Sequence, residues 1–182
     1  DQALQDRSYL LGEEFTAATE ENQARYIDMF NKRGIKPDVW WIDAGWYPCW
    51  YTNHERKWWH TGHWWPDPER YPNGFRPVSE HLASQGARLL VWFEPERVHH
   101  DTLLELEHPE WLLRVDKSDN RLLNLGNPAA RQWLTDRVCS IIQQGGIGVY
   151  RQDFNFEPLA FWRDNDAPDR QGLNENLHVQ GY

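Results

Sequence analysis

Ile147-Gly148-Val149-Tyr150-Arg151-Gln152-Asp153-Phe154-Asn155 opens as a short apolar strand and ends in charge. Val149, Arg151, Asp153 and Asn155 alternate, so they share one face while the strand lasts, and Tyr150, Gln152 and Phe154 take the other. A carboxylate two residues from a guanidinium at a strand end is poor core material. Burying it costs several kcal/mol unless it is paired. Alone, the segment reads as a strand-end salt bridge. Two further strands of the same build shift the balance.

Those strands are Val39–Asp43 and Arg88–Glu94. The first runs into Ala44-Gly45-Trp46, a turn that brings Asp43 to an exposed rim. In the second, Leu90, Trp92 and Glu94 share a face. Helical segments stand between them. One spans Thr16–Arg33, with Thr19 as N-cap, Glu20 and Glu21 in its first turn, Lys32 and Arg33 in its last, and Ile27 and Phe30 as its apolar face. A second runs from Pro77 to Gln85, with Val78 and Leu82 on one side. A third is capped by Asn127 with Pro128 at its first position, carries Ala130, Leu134, Val138 and Ile141 as a stripe, and stops at Gly145-Gly146. Asp101–Glu107 reads as a helical turn, and Arg114–Leu125 as mostly irregular with at most a short strand. Alternating helices and near-continuous apolar strands predict an α/β fold with a parallel sheet. Parallel strands gather their C-terminal ends on one side, which puts Asp43, Glu94 and Asp153 together. In barrels of eight parallel strands, active sites occupy that side.

Composition narrows the function. The chain has 182 residues and a formal net charge of −9, which argues against nucleic acid or an anionic membrane as a partner. No apolar run is long enough to span a bilayer and no charged-then-apolar leader is visible, although the chain starts at Asp1 without a Met. Two cysteines, Cys49 and Cys139, form neither a disulfide framework nor a metal motif. Of 12 Trp, eight fall between Trp40 and Trp65, mixed with His, Asn, Asp and Pro. They read unlike a core. Either their rings stack on sugars, or a long irregular loop, roughly Tyr47 to Arg76, uses indoles to cover itself.

Carboxylates around a Trp-rich cup fit glycoside hydrolysis, which uses a carboxyl pair. Arg151 beside Asp153 favours the ionised form, so Asp153 suits a nucleophile better than an acid. Glu94 and Asp43 lack an obvious cationic partner and could bind sugar hydroxyls. A metal-dependent hydrolase is the rival enzyme, with ligands from His99-His100-Asp101 and His60–His63. No strand ends in His, and adjacent His side chains are expected to point apart, so no metal is expected. A binding remnant that holds sugar without cutting it is the third class.

WWIDAGWY (40–47), VWFEPERV (91–98), HPEW (108–111), LLNLGNP (122–128) and YRQDFN (150–155) follow in the order found in glycoside hydrolase family 36, the α-galactosidase family. The resemblance covers Val39 to Asn155 in five blocks. It implies a retaining mechanism, a (β/α)8 TIM-type barrel, and no metal or organic cofactor. On this footing residues 1–182 are about the first half of a catalytic barrel domain, cut short on the C-terminal side. Asp153 resembles the nucleophile. Asp43 matches the first of two adjacent acids that bind the sugar 4- and 6-hydroxyls, Trp92 a Trp that lines the pocket, and Asn155 a sugar-binding Asn. Arg151 stands where many members carry a sugar-binding Lys. Arg121 is the nearest counterpart of a binding Arg, at a shorter spacing. Ala44 replaces the second acid, which leaves N-acetylgalactosamine or another α-linked sugar open beside galactose. The implied partner is an α-galactoside oligosaccharide or glycoconjugate, and homo-oligomerisation of the full-length enzyme stays open. The acid/base is expected beyond Tyr182, because Asp164, Asp166 and Asp169 lie in a polar, Pro-containing stretch rather than at a strand end.

Overall fold

The computed structural model describes residues 14–49 and 57–182. The apolar patch Tyr9–Leu11 and Trp50 lie outside them.

Helix α1 spans Glu20–Lys32. It starts four residues later than the sequence pattern suggests, because Glu14–Ala17 forms a separate 3-10 turn. Thr19 is the N-cap, its hydroxyl accepting from the Asn22 N–H at 3.1 Å. Strand β1 (Val39–Ile42) follows, then α2 (Arg76–Ala83) and β2 (Arg88–Phe93). After β2 come β3 (Arg97–His99), α3 (Leu103–Glu107), β4 (Leu112–Leu113) and β5 (Asn120–Leu123). Helix α4 (Pro128–Gly145) leads into β6 (Val149–Gln152), and α5 (Leu159–Asp164) and α6 (Leu173–Gly181) end the order. Asn127 caps α4 by accepting from Ala129 N–H, with Pro128 behind it. Gly146 stops it at φ +63°, where an added Cβ would meet Ser79 Oγ at 2.7 Å.

The main sheet is parallel, in the order β1-β2-β6. Its register sets Trp41 beside Leu90 and Trp92 beside Arg151. One face, with Ile42, Leu89, Val91 and Phe93, is buried and joins the largest core with Ile27, Val78, Leu82 and Ile141 of the helices. The other face is open around Trp41, which is 45 % exposed. The described residues thus form an open parallel α/β sheet, not a closed barrel.

Two features differ from the sequence reading. Residues 97–123 contain a second, antiparallel sheet in the order β3-β5-β4, of which the sequence reading offered only a short strand within Arg114–Leu125, where β5 lies. Its strands have two to four residues, too few to show a period. Val98, Leu112 and Leu123 seat it on Ala130 and Leu134 of α4. The aromatic segment, in turn, puts part of itself into the core. Trp46, Tyr47 and Trp64 are fully buried, with ring centroids 5.0–5.7 Å apart. Indoles there do the work of aliphatic side chains in a segment without helix or strand.

Candidate active site at the C-terminal edge of the parallel sheet

Asp153 lies one residue past β6. Its backbone N–H donates to Phe93 O at 2.8 Å and carries the β2–β6 pairing a step beyond the strand. Trp92 is opposite Arg151 in this register, so its indole stands beside the carboxylate. Trp92 Nε1–H donates to Asp153 Oδ2 at 2.8 Å, and Phe154 N–H donates to Oδ1 at 2.9 Å. Arg151 approaches Oδ2 at 3.7 Å. The Asn155 side chain also bonds the carboxylate. Together these hold Asp153 below the usual carboxylate range. The Trp92 bond is the largest cause, partial burial works against it, and Arg151 contributes least. Arg151 thus acts in the expected direction, but as the smallest of the causes. The guanidinium is centred 4.4 Å over the Trp41 ring, and its distance to the carboxylate exceeds a hydrogen bond.

Asp43 follows β1 on the same edge, exposed, with Oδ1 accepting from the Ala44 N–H at 2.8 Å. Asp43, Trp92, Arg151, Asp153 and Asn155 therefore share one rim of the sheet. Arg121 does not join them. It sits on β5, its Nε donating to Glu105 Oε1 at 2.7 Å and its other N–H groups to the Ser118 and Asn120 carbonyls. Trp92 is 2 % exposed and belongs to the core, edge-on to Trp58 and stacked with Tyr47. Its ring is therefore part of the core as well as of the rim.

Glu94 does have a cationic partner, contrary to the sequence reading. It is fully buried, pairs with Arg97, and accepts the Asn155 N–H on Oε1 at 2.6 Å. The chain turns at Pro95 and returns Arg97 three residues on. Arg97 also covers the Trp58 ring, with its Cζ 5.1 Å from the centroid. Glu94 thus ties the turn after Asp153 to the end of β2. Glu96 was missed by sequence reasoning. It is buried, accepts from Gln152 Nε2 at 2.9 Å, and burial pushes its carboxyl up to about 7. With Asp153, Trp162 and His178 it lines a cavity of about 540 Å³. The second Glu of WFEPE was the available signal, but in sequence it reads as loop.

The histidines also depart from expectation. His99 and His100 do not point apart: their rings stack with centroids 4.7 Å apart, and His60 lies 4.3 Å from His99.

A parallel sheet with helices between its strands, and acidic residues at the strand ends, defines an α/β chain of repeated β/α units. The sequence profile of the melibiase family matches residues 15–169, and the chain belongs to that family. An α-galactosidase from Escherichia coli is 31 % identical over 140 residues, covering 71 % of this chain and 19 % of that protein. An α-galactosidase from Lactobacillus acidophilus is 25 % identical over 170 residues, covering 90 % of this chain and 22 % of that protein. Among solved structures, the α-galactosidase of Lactobacillus brevis superposes with a TM-score of 0.74 at 23 % identity, over 90 % of this chain and 22 % of that one. The chain thus spans about a fifth of the length of these relatives. Among the described residues no helix is long and apolar enough to cross a membrane.

Proposed function

We propose that these residues are the nucleophile-bearing part of a retaining α-glycosidase with an eight-stranded barrel, acting on terminal α-galactosides. The observation that carries this reading is Asp153. It is a strand-end carboxylate, partly exposed, kept ionised by an indole N–H, a backbone N–H and a neighbouring guanidinium. In the proposed step a carboxylate oxygen of Asp153 bonds to the anomeric carbon as the glycosidic C–O bond breaks. The leaving oxygen takes a proton from a second carboxyl, and water later hydrolyses the glycosyl ester. The second carboxyl must lie about 5–5.5 Å from the nucleophile. Glu94 is committed to Arg97 and the Asn155 N–H, and Glu96 is buried and held by the Gln152 amide, so we assign the acid/base to sequence outside these 182 residues.

Asp43, Arg151 and Asn155 are assigned to sugar hydroxyls, and the N–H edge of Trp92 to holding the nucleophile. Arg121 would have to release Glu105 to reach a sugar and is left out of the set. The family relationship supports the galactoside class. So do structures of variants of the Geobacillus stearothermophilus α-galactosidase in complex with stachyose and with raffinose. Ala44, in the place of the family's second acid, favours a comparison with N-acetylgalactosaminides.

Turnover of aryl α-galactoside and aryl α-N-acetylgalactosaminide by the full-length protein tests the reading. Asp153→Asn should lower kcat by about 10⁴-fold or more, while Glu107→Gln, at an exposed position at the end of α3, should leave it unchanged. Turnover by Asp153→Asn close to that of the parent would remove Asp153 from the nucleophile's role.

A further inference from the structure

The histidine-rich end of the antiparallel sheet lies outside the strand-end carboxylate group. We propose that His99, His100 and Asp119 bind one first-row divalent metal ion of the zinc class, bracing β3 against the Asp119–Asn120 end of β5. One ligand atom from each of the three lies within 4.8 Å of the other two. His100 Nε2 is 3.5 Å from Asp119 Oδ1. Tetrahedral zinc with nitrogen and oxygen ligands at about 2.0–2.2 Å has ligand–ligand edges of about 3.3–3.5 Å. One edge is therefore already formed, and the other two, both within 4.8 Å, need to close by at most about 1.5 Å. Asp119, with a side chain 78 % exposed, can close its edge to His99, and rotation of the His100 ring, 29 % exposed, closes the edge between the two imidazoles.

The backbone fixes the frame. His99 pairs with Asn120 across β3 and β5, and His100 N–H donates to Asp119 O at 2.8 Å. His99 Nδ1 lies 3.1 Å from the His100 carbonyl. A proton on Nδ1 donated to that carbonyl orients the ring and makes Nε2 the metal-facing nitrogen, as in zinc sites whose histidines donate their second N–H to a carbonyl. His100 Nδ1 is 3.4 Å from Asp101 Oδ2, which gives the second imidazole a matching carboxylate partner. Two imidazoles and one carboxylate suit zinc, cobalt or nickel better than calcium or magnesium, which prefer all-oxygen sets. The site also bears on the aromatic segment, since His99 N–H donates to Thr61 O at 2.8 Å and Thr61 Oγ1 donates to Arg97 O at 2.6 Å.

The test is isothermal titration of the purified, untagged, full-length protein with Zn²⁺, paired with Co²⁺ absorption spectroscopy and thermal melts. His100→Gln and Asp119→Asn are the informative variants, because both side chains are partly exposed and neither should prevent folding. His81→Gln is the control. It lies against Asp28 at 2.8 Å elsewhere on the surface. The expected result is one ion per chain, a rise in melting temperature on adding Zn²⁺, and visible Co²⁺ bands. His100→Gln and Asp119→Asn should each weaken binding by roughly tenfold or more, and His81→Gln should leave it unchanged. No stoichiometric binding by the parent, equal affinity in both variants, or an equal loss in His81→Gln would overturn the site.

Discussion

Trp92 and Asp153 are far apart in sequence but meet through one indole N–H, and that contact outweighs the adjacent charge of Arg151. Removing the N–H while keeping the ring should therefore raise the Asp153 pKa. Trp92→Phe is expected to raise it more than Arg151→Met, with Arg151→Lys close to the parent. A carbon-13 NMR titration of the Asp153 carboxyl gives the ranking, and Arg151→Met above Trp92→Phe would mean that charge, not the hydrogen bond, sets it. Trp92→Ala does more: the ring is in the core, so truncation should cost about 3–5 kcal/mol of stability. Asp153 was legible in the sequence because a strand-end carboxylate is conspicuous, and its face-mates followed from the two-residue period. The Glu94–Arg97 pair was not, because period and propensity say nothing about a chain that reverses at Pro95. Arg121 shows the converse: residue type and approximate spacing suggested a sugar ligand, but its donors go to Glu105 and two carbonyls.

The turn after β6 depends on that buried pair. Glu94→Gln leaves Arg97 with an unbalanced charge and weakens the acceptor for the Asn155 N–H. Breaking one side of a buried pair typically costs about 3–5 kcal/mol. The variant should melt at lower temperature, and the Asn155 amide should exchange faster than other amides near β6. Unchanged melting and unchanged exchange would show that the turn is held by other contacts. Four of the six described elements with six or more residues were legible: β2, α1, α2 and α4 come where apolar pattern and caps put them, within a few residues, whereas α5 and α6 lie in a stretch read only as polar. The antiparallel sheet was not, since β3, β4 and β5 are short and their pairing is non-local. For the Trp-rich segment the reading left two alternatives, sugar stacking or a loop covered by its own indoles, and the second holds for Trp46 and Trp64. Its composition looked polar and exposed, whereas the interleaved Trp46, Tyr47 and Trp64 turn inward.

Across the chain, buried titratable groups set a stability profile with a defined sign. Burial raises Glu96 from an ordinary 4.5 to about 7, so its contribution is fully present below about pH 4.5 and is lost as pH rises through 7. Burial lowers His63, His99 and His178 from 6.5 to about 4, so theirs is present above pH 6.5 and is lost as pH falls through 4. Three histidines against one glutamate make stability rise from pH 4.5 to 6.5 and then fall slightly, which puts the maximum near pH 6.5. Melting temperatures from pH 4 to 8 check this. Glu96→Gln should remove the decline between pH 6.5 and 8, and a decline that persists would place its source elsewhere. The parallel order β1-β2-β6 was legible as alternating helices and strands, but closure of a barrel was not, because closure is a property of all its strands together. The open face around Trp41 and Arg151 is where a sugar would enter on the proposed reading. The most direct measurement is mass spectrometry of the full-length protein after trapping with a fluorinated α-galactoside. The proposed nucleophile predicts a stoichiometric glycosyl adduct on the peptide carrying Asp153, absent in Asp153→Asn. An adduct on Asp43, Glu94 or any other carboxylate would contradict it.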